Sequence, residues 1–107
     1  MASHSRDIFL FIRRDDWRIL EANAAAAAAY GYRREELLRL TIHDLRAAGT
    51  QEQIAAQVAQ ADAGGILLET VHRRRDGSTF PVEVSSRGAT ISGTRILISV
   101  VRDITER

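Results

Sequence analysis

Short apolar runs separated by turn residues mark the beginning of the chain. Ile8 to Arg14 is apolar and rich in β-branched and aromatic residues, Asp15-Asp16 follows, and Arg18 to Ala22 forms a second short apolar run. Runs of this composition favour strands, and an aspartate pair between them is typical of a turn. The pattern therefore predicts a β-hairpin over this part of the chain.

An alanine run then changes the pattern from strand to helix. Asn23 is a favourable N-cap, Ala24 to Ala29 has the highest helix propensity, and Gly31 can end the helix. Side chains this small either leave a cavity beside a sheet or let the helix lie close to it. Close packing is favoured, because protein interiors rarely keep voids larger than a water molecule.

Further helical signals follow up to residue 65. They predict a short helix at residues 34–40, a turn at 41–45 and a longer helix at 51–63. Thr50 and Gln53 have the spacing of a capping box at the start of the longer helix. Gly64-Gly65 then ends it.

The last third of the chain alternates with a period of two. It predicts three strands, Ile66 to Arg75, Ser78 to Ile91 and Arg95 to Arg102, with hairpin turns at Asp76-Gly77 and Ser92-Gly93. Strands and helices are thus segregated along the chain. The order predicts an α+β fold, in which short helices lie on one face of a five-stranded antiparallel sheet.

Charged residues indicate which face of each strand points to solvent. Because Glu69 and Arg73 are charged, they and every second residue of their strand are expected on the outer face. Glu83 marks the outer face of the next strand in the same way. The inner face is then predicted to carry Leu68, Thr70, His72, Phe80, Val82, Val84 and Ser86. The last strand is apolar on both faces, since Ile96, Ile98 and Val100 alternate with Leu97, Ser99 and Val101.

Length and composition limit the classes of function. At 107 residues with 45% hydrophobic residues, the chain is expected to form one globular domain. Its 15 basic and 14 acidic residues are interspersed and attract neither nucleic acid nor anionic lipid. Without an apolar stretch long enough for a membrane span or a signal peptide, a cytoplasmic location is expected. The absence of Cys excludes disulfides and thiolate chemistry.

Five stretches in order resemble the PAS family over nearly the whole chain. They are Arg18 to Asn23, Gly31 to Leu38, Arg75 to Ser78, Phe80 to Ser85 and Val100 to Arg107. The resemblance implies a five-stranded antiparallel sheet beneath a helical segment, often paired with a second copy, inside bacterial signalling proteins. It also implies a domain at residues 7–105, after a flexible N-terminus at 1–6 and before a linker that starts at 106–107.

The known cofactors of this family are not expected here. Ile42 stands where the flavin-binding light sensors carry Cys, and the long helix lacks the His that commonly binds haem. We predict neither haem nor a Cys-linked flavin, and no spacing of His, Asp and Glu resembles a metal site. No nucleophile elbow, phosphate loop or pair of inward carboxylates is present, so we predict no catalytic site.

A small-molecule cavity under the helices is the sharper hypothesis. Its candidate lining residues are Phe11, Leu45, Ile54, Val58, Leu68, Thr70, His72, Val82, Val84, Ser86 and Ser99. His72 with the hydroxyl residues can supply hydrogen bonds to a ligand. The simpler interpretation, which is favoured, is that His72 is satisfied by a backbone carbonyl or lies at an exposed strand end.

Two further sets of residues are candidates for assembly and output. Ile96, Ile98 and Val100 form an outer apolar row that a homodimer would cover. Asp103 and Thr105 belong to the terminal motif, where Asp103 and Glu106 predict a capping-box variant that starts an exit helix.

The leading functional hypothesis is a non-enzymatic sensory module. It binds a ligand or partner and relays the signal through its exit helix to an effector in the same parent chain, such as a histidine kinase. The alternatives are a ligand-free dimerisation scaffold and a small α+β enzyme. Neither the ligand nor the effector follows from these residues, since a fold does not determine a function.

Overall fold

The architecture is known from a computed structural model, which describes residues 7–106. The five strands are β1 (Ile8–Arg13), β2 (Ile19–Ala22), β3 (Ile66–Arg73), β4 (Thr79–Ile91) and β5 (Thr94–Asp103). The helices are α1 (Ala24–Tyr30), α2 (Arg34–Leu37), α3 (Ile42–Leu45) and α4 (Ile54–Gly64), with a 3-10 turn at Gln51–Gln53. The flexible start predicted for residues 1–6 and the end of the predicted linker, Arg107, lie outside the described residues.

All five strands form one antiparallel sheet in the order β2-β1-β5-β4-β3. The last strand, β5, is central and pairs with β1 on one side and β4 on the other. The predicted hairpins and the α+β class are therefore confirmed. The pairing of β1 with β5 connects the two ends of the chain.

Turn chemistry sets the register between β4 and β5. Ser92 and Gly93 both have positive φ, 51° and 78°. Two such residues form the turn type whose twist matches the right-handed twist of paired strands. The predicted Ser92-Gly93 hairpin is confirmed.

Two helix predictions need correction. The helix predicted at residues 34–40 ends at Leu37. The capping box predicted for Thr50 is absent, because the Thr50 hydroxyl donates to the Ala47 carbonyl, 2.7 Å away, and the first turn is 3-10. Competition from a nearby backbone carbonyl is a common alternative for threonine side chains. A capping box forms instead at Thr41, whose backbone N–H donates to Asp44 Oδ2 at 2.9 Å.

Asn23 joins α1 to the edge of the sheet. Its Oδ1 accepts from the backbone of Ala26 and of Phe9, both at 3.1 Å, and its Nδ2 donates to the Asp7 carbonyl. Ala26 is completely buried, and the alanine run does not line the cavity beneath α4, although Ala28 and Ala29 border an open surface pocket beside Arg74 and Arg75. The small side chains of α1 therefore allow close packing on the sheet, as favoured above.

The helices pack on one face of the sheet, and no helix of residues 7–106 packs on the other. The core lies between them and contains Leu10, Ile19, Leu37, Ile54 and Val82. In the described part of the chain, no helix is both long enough and apolar enough to cross a membrane.

Candidate functional site

A cavity of about 40 Å³ lies between the inner face of the sheet and α4. Strand alternation brings β1, β3, β4 and β5 side chains to it from below, and α4 contributes from above. Its apolar lining residues are Leu10, Ile12, Ile42, Ile54, Val58, Ala61, Ile66, Leu68, Val84, Leu97 and Val101. Its polar lining residues are Arg46, Gln57, His72, Ser86 and Ser99.

Seven of the predicted cavity residues lie where they were expected. They are Ile54, Val58, Leu68, His72, Val84, Ser86 and Ser99. Leu45 and Val82 are completely buried in the core beside the cavity and do not line it. Thr70 lies on the inner face opposite Val82, half-buried and outside the cavity lining.

The placement of Phe11 in the cavity was wrong. Phe11 pairs with Ile98 of β5 and lies on the outer face, while Leu10 and Ile12 point inward. Residues 8–12 are apolar on both faces, but Arg13 at the end of the strand has the same parity as Phe11 and marks that side as the outer one. Because side chains alternate between the two faces along a strand, Phe11 lies on the face opposite to the one predicted.

His72 makes a buried hydrogen bond with an aromatic residue. Its Nδ1 is 2.7 Å from the Tyr30 hydroxyl, and both residues are almost completely inaccessible. Its Nε2 has no hydrogen-bond partner among the described residues. Burial lowers the pKa of His72 to about 3, and the nearby Arg46 charge acts in the same direction. The ring is therefore neutral, and it bonds to a phenol rather than to the backbone carbonyl that was favoured.

Arg46 was not identified from the sequence. It lies just after α3 with 4% of its surface exposed, and its Nη2 donates to Gln57 Oε1 at 2.6 Å. An isolated backbone bridge pairs Arg46 with His72 and holds it over the cavity. Arginines are mostly exposed, and the local sequence around residue 46 contains nothing that predicts burial. Tyr30 was also missed, since nothing in its local sequence predicts its burial.

Two serines supply the remaining polar lining. Ser86 of β4 and Ser99 of β5 are directly opposite in the register, and their hydroxyls are 2.8 Å apart. One hydroxyl donates to the other, so each oxygen has a hydrogen-bond partner within the core. The alternation of both strands predicted this inward pair.

Two ion pairs of Asp62 connect the end of α4 to the sheet. Asp62 Oδ1 accepts from Arg95 Nε at 2.5 Å, and its Oδ2 accepts from Arg14 at 3.0 Å. Gly88 leaves the space for the pair with Arg95, since a Cβ there would lie 2.5 Å from Arg95 Nη2. The contact was not predicted, because its partners are far apart in the sequence.

The outer apolar row differs in part from the prediction. Ile98 and Val100 are half-buried on the outer face, next to Phe11 and Phe9 of β1. Phe9 is 46% exposed. Ile96, which pairs with Arg13 and Ala89, is only 3% exposed. Ile96 therefore offers almost no area to a partner, and its inclusion in the row was wrong.

The chain leaves the sheet through a turn at Asp103. Asp103 Oδ1 accepts from the Thr105 backbone N–H at 2.9 Å and also from the Thr105 hydroxyl. The Ile104 N–H donates to the Pro81 carbonyl, 3.1 Å away. An N-cap makes the same bond to the second residue of its helix. Within the described residues, the segment after Asp103 is a turn and the predicted helix has not begun.

The size of the cavity limits what it can hold. Pockets for drug-sized ligands have volumes of about 300–1,000 Å³. A cavity of about 40 Å³ is far smaller, so a flavin or a haem does not fit it in this conformation. Among residues 7–106, no three His, Asp or Glu side chains are grouped as a metal site. The arrangement suits a ligand of few atoms.

Comparison with known proteins gives consistent matches. The sequence model of the PAS domain family matches residues 6–106. The chain is 28% identical over 106 residues to the diguanylate cyclase DgcM of Escherichia coli K12, covering 98% of this chain and 26% of that protein. It thus spans about a quarter of that relative's length.

Solved structures share the fold at similar identity. The PAS domain of an HTR-like protein from Haloarcula marismortui is 27% identical with a TM-score of 0.82, covering 95% of this chain and 84% of that one. A domain of a sensory box sensor histidine kinase/response regulator from Geobacter sulfurreducens is 27% identical with a TM-score of 0.76, covering 94% and 86%.

Proposed function

Because the chain belongs to the PAS domain family, we propose that it is the ligand-binding sensory module of a larger signalling protein. The observation that carries this proposal is the cavity beneath α4, which is lined by Arg46 and His72, whose buried Nε and Nε2 atoms have no hydrogen-bond partner among the described residues. Buried polar groups are nearly always hydrogen-bonded, because an unsatisfied group costs about 1–3 kcal/mol. A ligand that forms hydrogen bonds with both atoms removes this free-energy cost.

The route of the signal follows from the position of β5. Leu97, Ser99 and Val101 of this strand line the cavity, and the same strand ends at Asp103. A ligand that displaces these side chains moves the strand from which the chain leaves the domain. We therefore assign Asp103 and Thr105 to the relay between sensor and effector.

The effector is proposed to follow in the same parent chain. Relatives of this domain occur in a diguanylate cyclase and in a sensor histidine kinase, and this chain covers only 26% of the former. The catalysis belongs to such an output domain in this proposal, and the sensor itself is not an enzyme. A homodimer formed through the outer face of the sheet would bring two output domains together.

A dimerisation scaffold without a ligand is the second candidate. The small volume of the cavity and the partly exposed Phe9 on the outer face favour it. In such a scaffold the apolar outer face binds a second copy, and the cavity holds only water.

Native mass spectrometry separates the two candidates. For a sensor, the native mass exceeds the denatured mass by a small molecule, and the excess disappears in Ser86→Leu, which fills the cavity. Ser85→Leu is the matched control, since Ser85 lies on the opposite face of β4 and is exposed, and it keeps the excess. Equal native and denatured masses per subunit, after incubation with metabolite extract as well, would instead support the scaffold.

A further inference from the structure

The cavity contains a buried positive charge without a negative partner. Arg46 is in none of the ion pairs formed by the described residues, although it is only 4% exposed. Its guanidinium donates to Gln57 Oε1 and, at 3.4 Å, to the Thr50 carbonyl, which are both neutral acceptors. No residue between 7 and 106 accepts a hydrogen bond from its Nε–H. Buried charges in proteins are normally paired with an opposite charge, so the site lacks an anion.

His72 contributes a second donor to the same site. The Tyr30 hydroxyl is completely buried, and His72 Nδ1 is its hydrogen-bond partner. Burial raises the pKa of Tyr30 far above its usual range, so the phenol keeps its proton. Among the described residues, His72 Nδ1 is the acceptor within reach of that proton, and we assign the Tyr30 O–H as the donor to Nδ1. A neutral imidazole that accepts at Nδ1 carries its hydrogen on Nε2. The unpartnered Nε2 is therefore a donor, as Arg46 Nε is.

The two donors arise from residues that are paired with each other. An antiparallel bridge connects the backbones of Arg46 and His72. Side chains of directly paired residues project to the same side, with Cβ atoms about 4.5–5.5 Å apart. Both residues line the cavity, so the two N–H groups belong to one site.

From this geometry we infer that the cavity binds a short-chain monocarboxylate, with its carboxylate on Arg46 and His72 and its alkyl group among Leu68, Val84 and other apolar lining residues. The inference rests on the proposed function and specifies its ligand. A carboxylate offers two acceptor oxygens and one negative charge, which match two donors and one cation.

The remaining lining excludes other classes of small ligand. Eleven of the sixteen lining residues are apolar, which disfavours phosphate or a dicarboxylate, because a second charge would be buried without a partner. Arg46 repels a cation. The volume of about 40 Å³ limits the chain to the size of acetate or propionate.

Calorimetric titration of the 107-residue chain with sodium propionate tests the inference. Propionate is expected to bind, whereas the neutral isostere propionamide and sodium chloride at equal ionic strength do not. In parallel, the ¹⁵N NMR signal of the Arg46 Nε–H shifts with propionate alone. This second measurement uses the unaltered protein and does not depend on the folding of a variant.

Arg46→Met removes the charge and keeps the apolar stem, and we expect it to weaken propionate binding at least tenfold. Arg73→Met is the matched control, because Arg73 is a half-buried arginine outside the cavity lining, and it keeps the affinity within twofold. Propionamide binding as tightly as propionate, or unchanged affinity in Arg46→Met, would overturn the inference and leave the sensor proposal intact. If neither probe binds and no molecule is retained in native mass spectrometry, both proposals fail.

Discussion

His72 stays neutral because protonation would place a charge in the core beside Arg46. Burial is the larger cause of its low pKa, about 3, and the Arg46 charge is the smaller one. An unfolded chain protonates histidine near pH 6.5. Between pH 6.5 and 3 the unfolded state therefore binds more protons than the folded state, and stability falls as the pH falls.

A pH series of denaturant unfolding measures this effect. From pH 7 to 5 the parent is expected to lose about 2 kcal/mol, at a limiting slope of about 1.4 kcal/mol per pH unit. His72→Gln removes the slope, while the exposed His43→Gln retains it. The measurement stops at pH 5, because carboxylates with lowered pKa values, such as Asp16 and Asp62, contribute below that range. A parent whose stability is constant from pH 7 to 5 contradicts a buried neutral His72.

At the scale of elements, β5 connects the cavity to the exit of the domain. It lies in the centre of the sheet, contributes Ser99 and Val101 to the cavity, and ends in the turn that Asp103 stabilises. The turn is anchored to β4 through the bond from Ile104 to the Pro81 carbonyl. A displacement of β5 is therefore transmitted to the first residues after the sheet.

Asp103→Ala in the full-length parent tests this connection. Removing the acceptor for the Thr105 N–H costs about 1 kcal/mol, so the sensor stays folded, but the response of the output domain to ligand is expected to be lost or locked. Asp103→Asn keeps an acceptor oxygen and is expected to respond like the parent. Thermal melting of the isolated domain checks folding in each variant. An Asp103→Ala parent with an unchanged dose response argues against a relay through this turn.

At the scale of the whole molecule, the sheet has one covered and one open face. Phe9, Phe11, Ile98 and Val100 form a continuous apolar group on the open face, across the β1 and β5 pair. Phe9 is nearly half exposed, at 46%. Contiguous apolar surface of this kind is typical of an interaction site, and a second copy would cover it symmetrically.

Ile98→Lys is expected to convert the proposed dimer into a monomer. The change places a charge in the middle of the apolar group, where its burial in a dimer is costly. Leu67→Lys is the control, since Leu67 is 69% exposed on the edge strand β3 and outside the group. Sedimentation velocity over a wide concentration range gives the oligomeric state. A parent that remains monomeric at the highest concentration excludes this dimer.

Prediction from the sequence succeeded where one strand face was marked by charge. Glu69 and Glu83 identified the outer sides of β3 and β4, so His72, Val84 and Ser86 were correctly placed inward. It failed for Phe11, because residues 8–12 are apolar on both faces and the charge that marks the outer face, Arg13, stands at the end of the strand. Local alternation defines two faces but does not say which one a helix covers.

The order of the elements, the hairpin turns and the family could be predicted from the sequence, because these depend on neighbouring residues and short motifs. The pairing of β1 with β5 and the burial of Arg46 beside His72 could be found only in the folded chain. Arg46 and His72 are separated by an intervening helix, α4, and their proximity depends on the packing of that helix on the sheet. The free energy of such a long-range contact is not contained in any local pattern, so the place of Arg46 beside His72 became visible only in the fold.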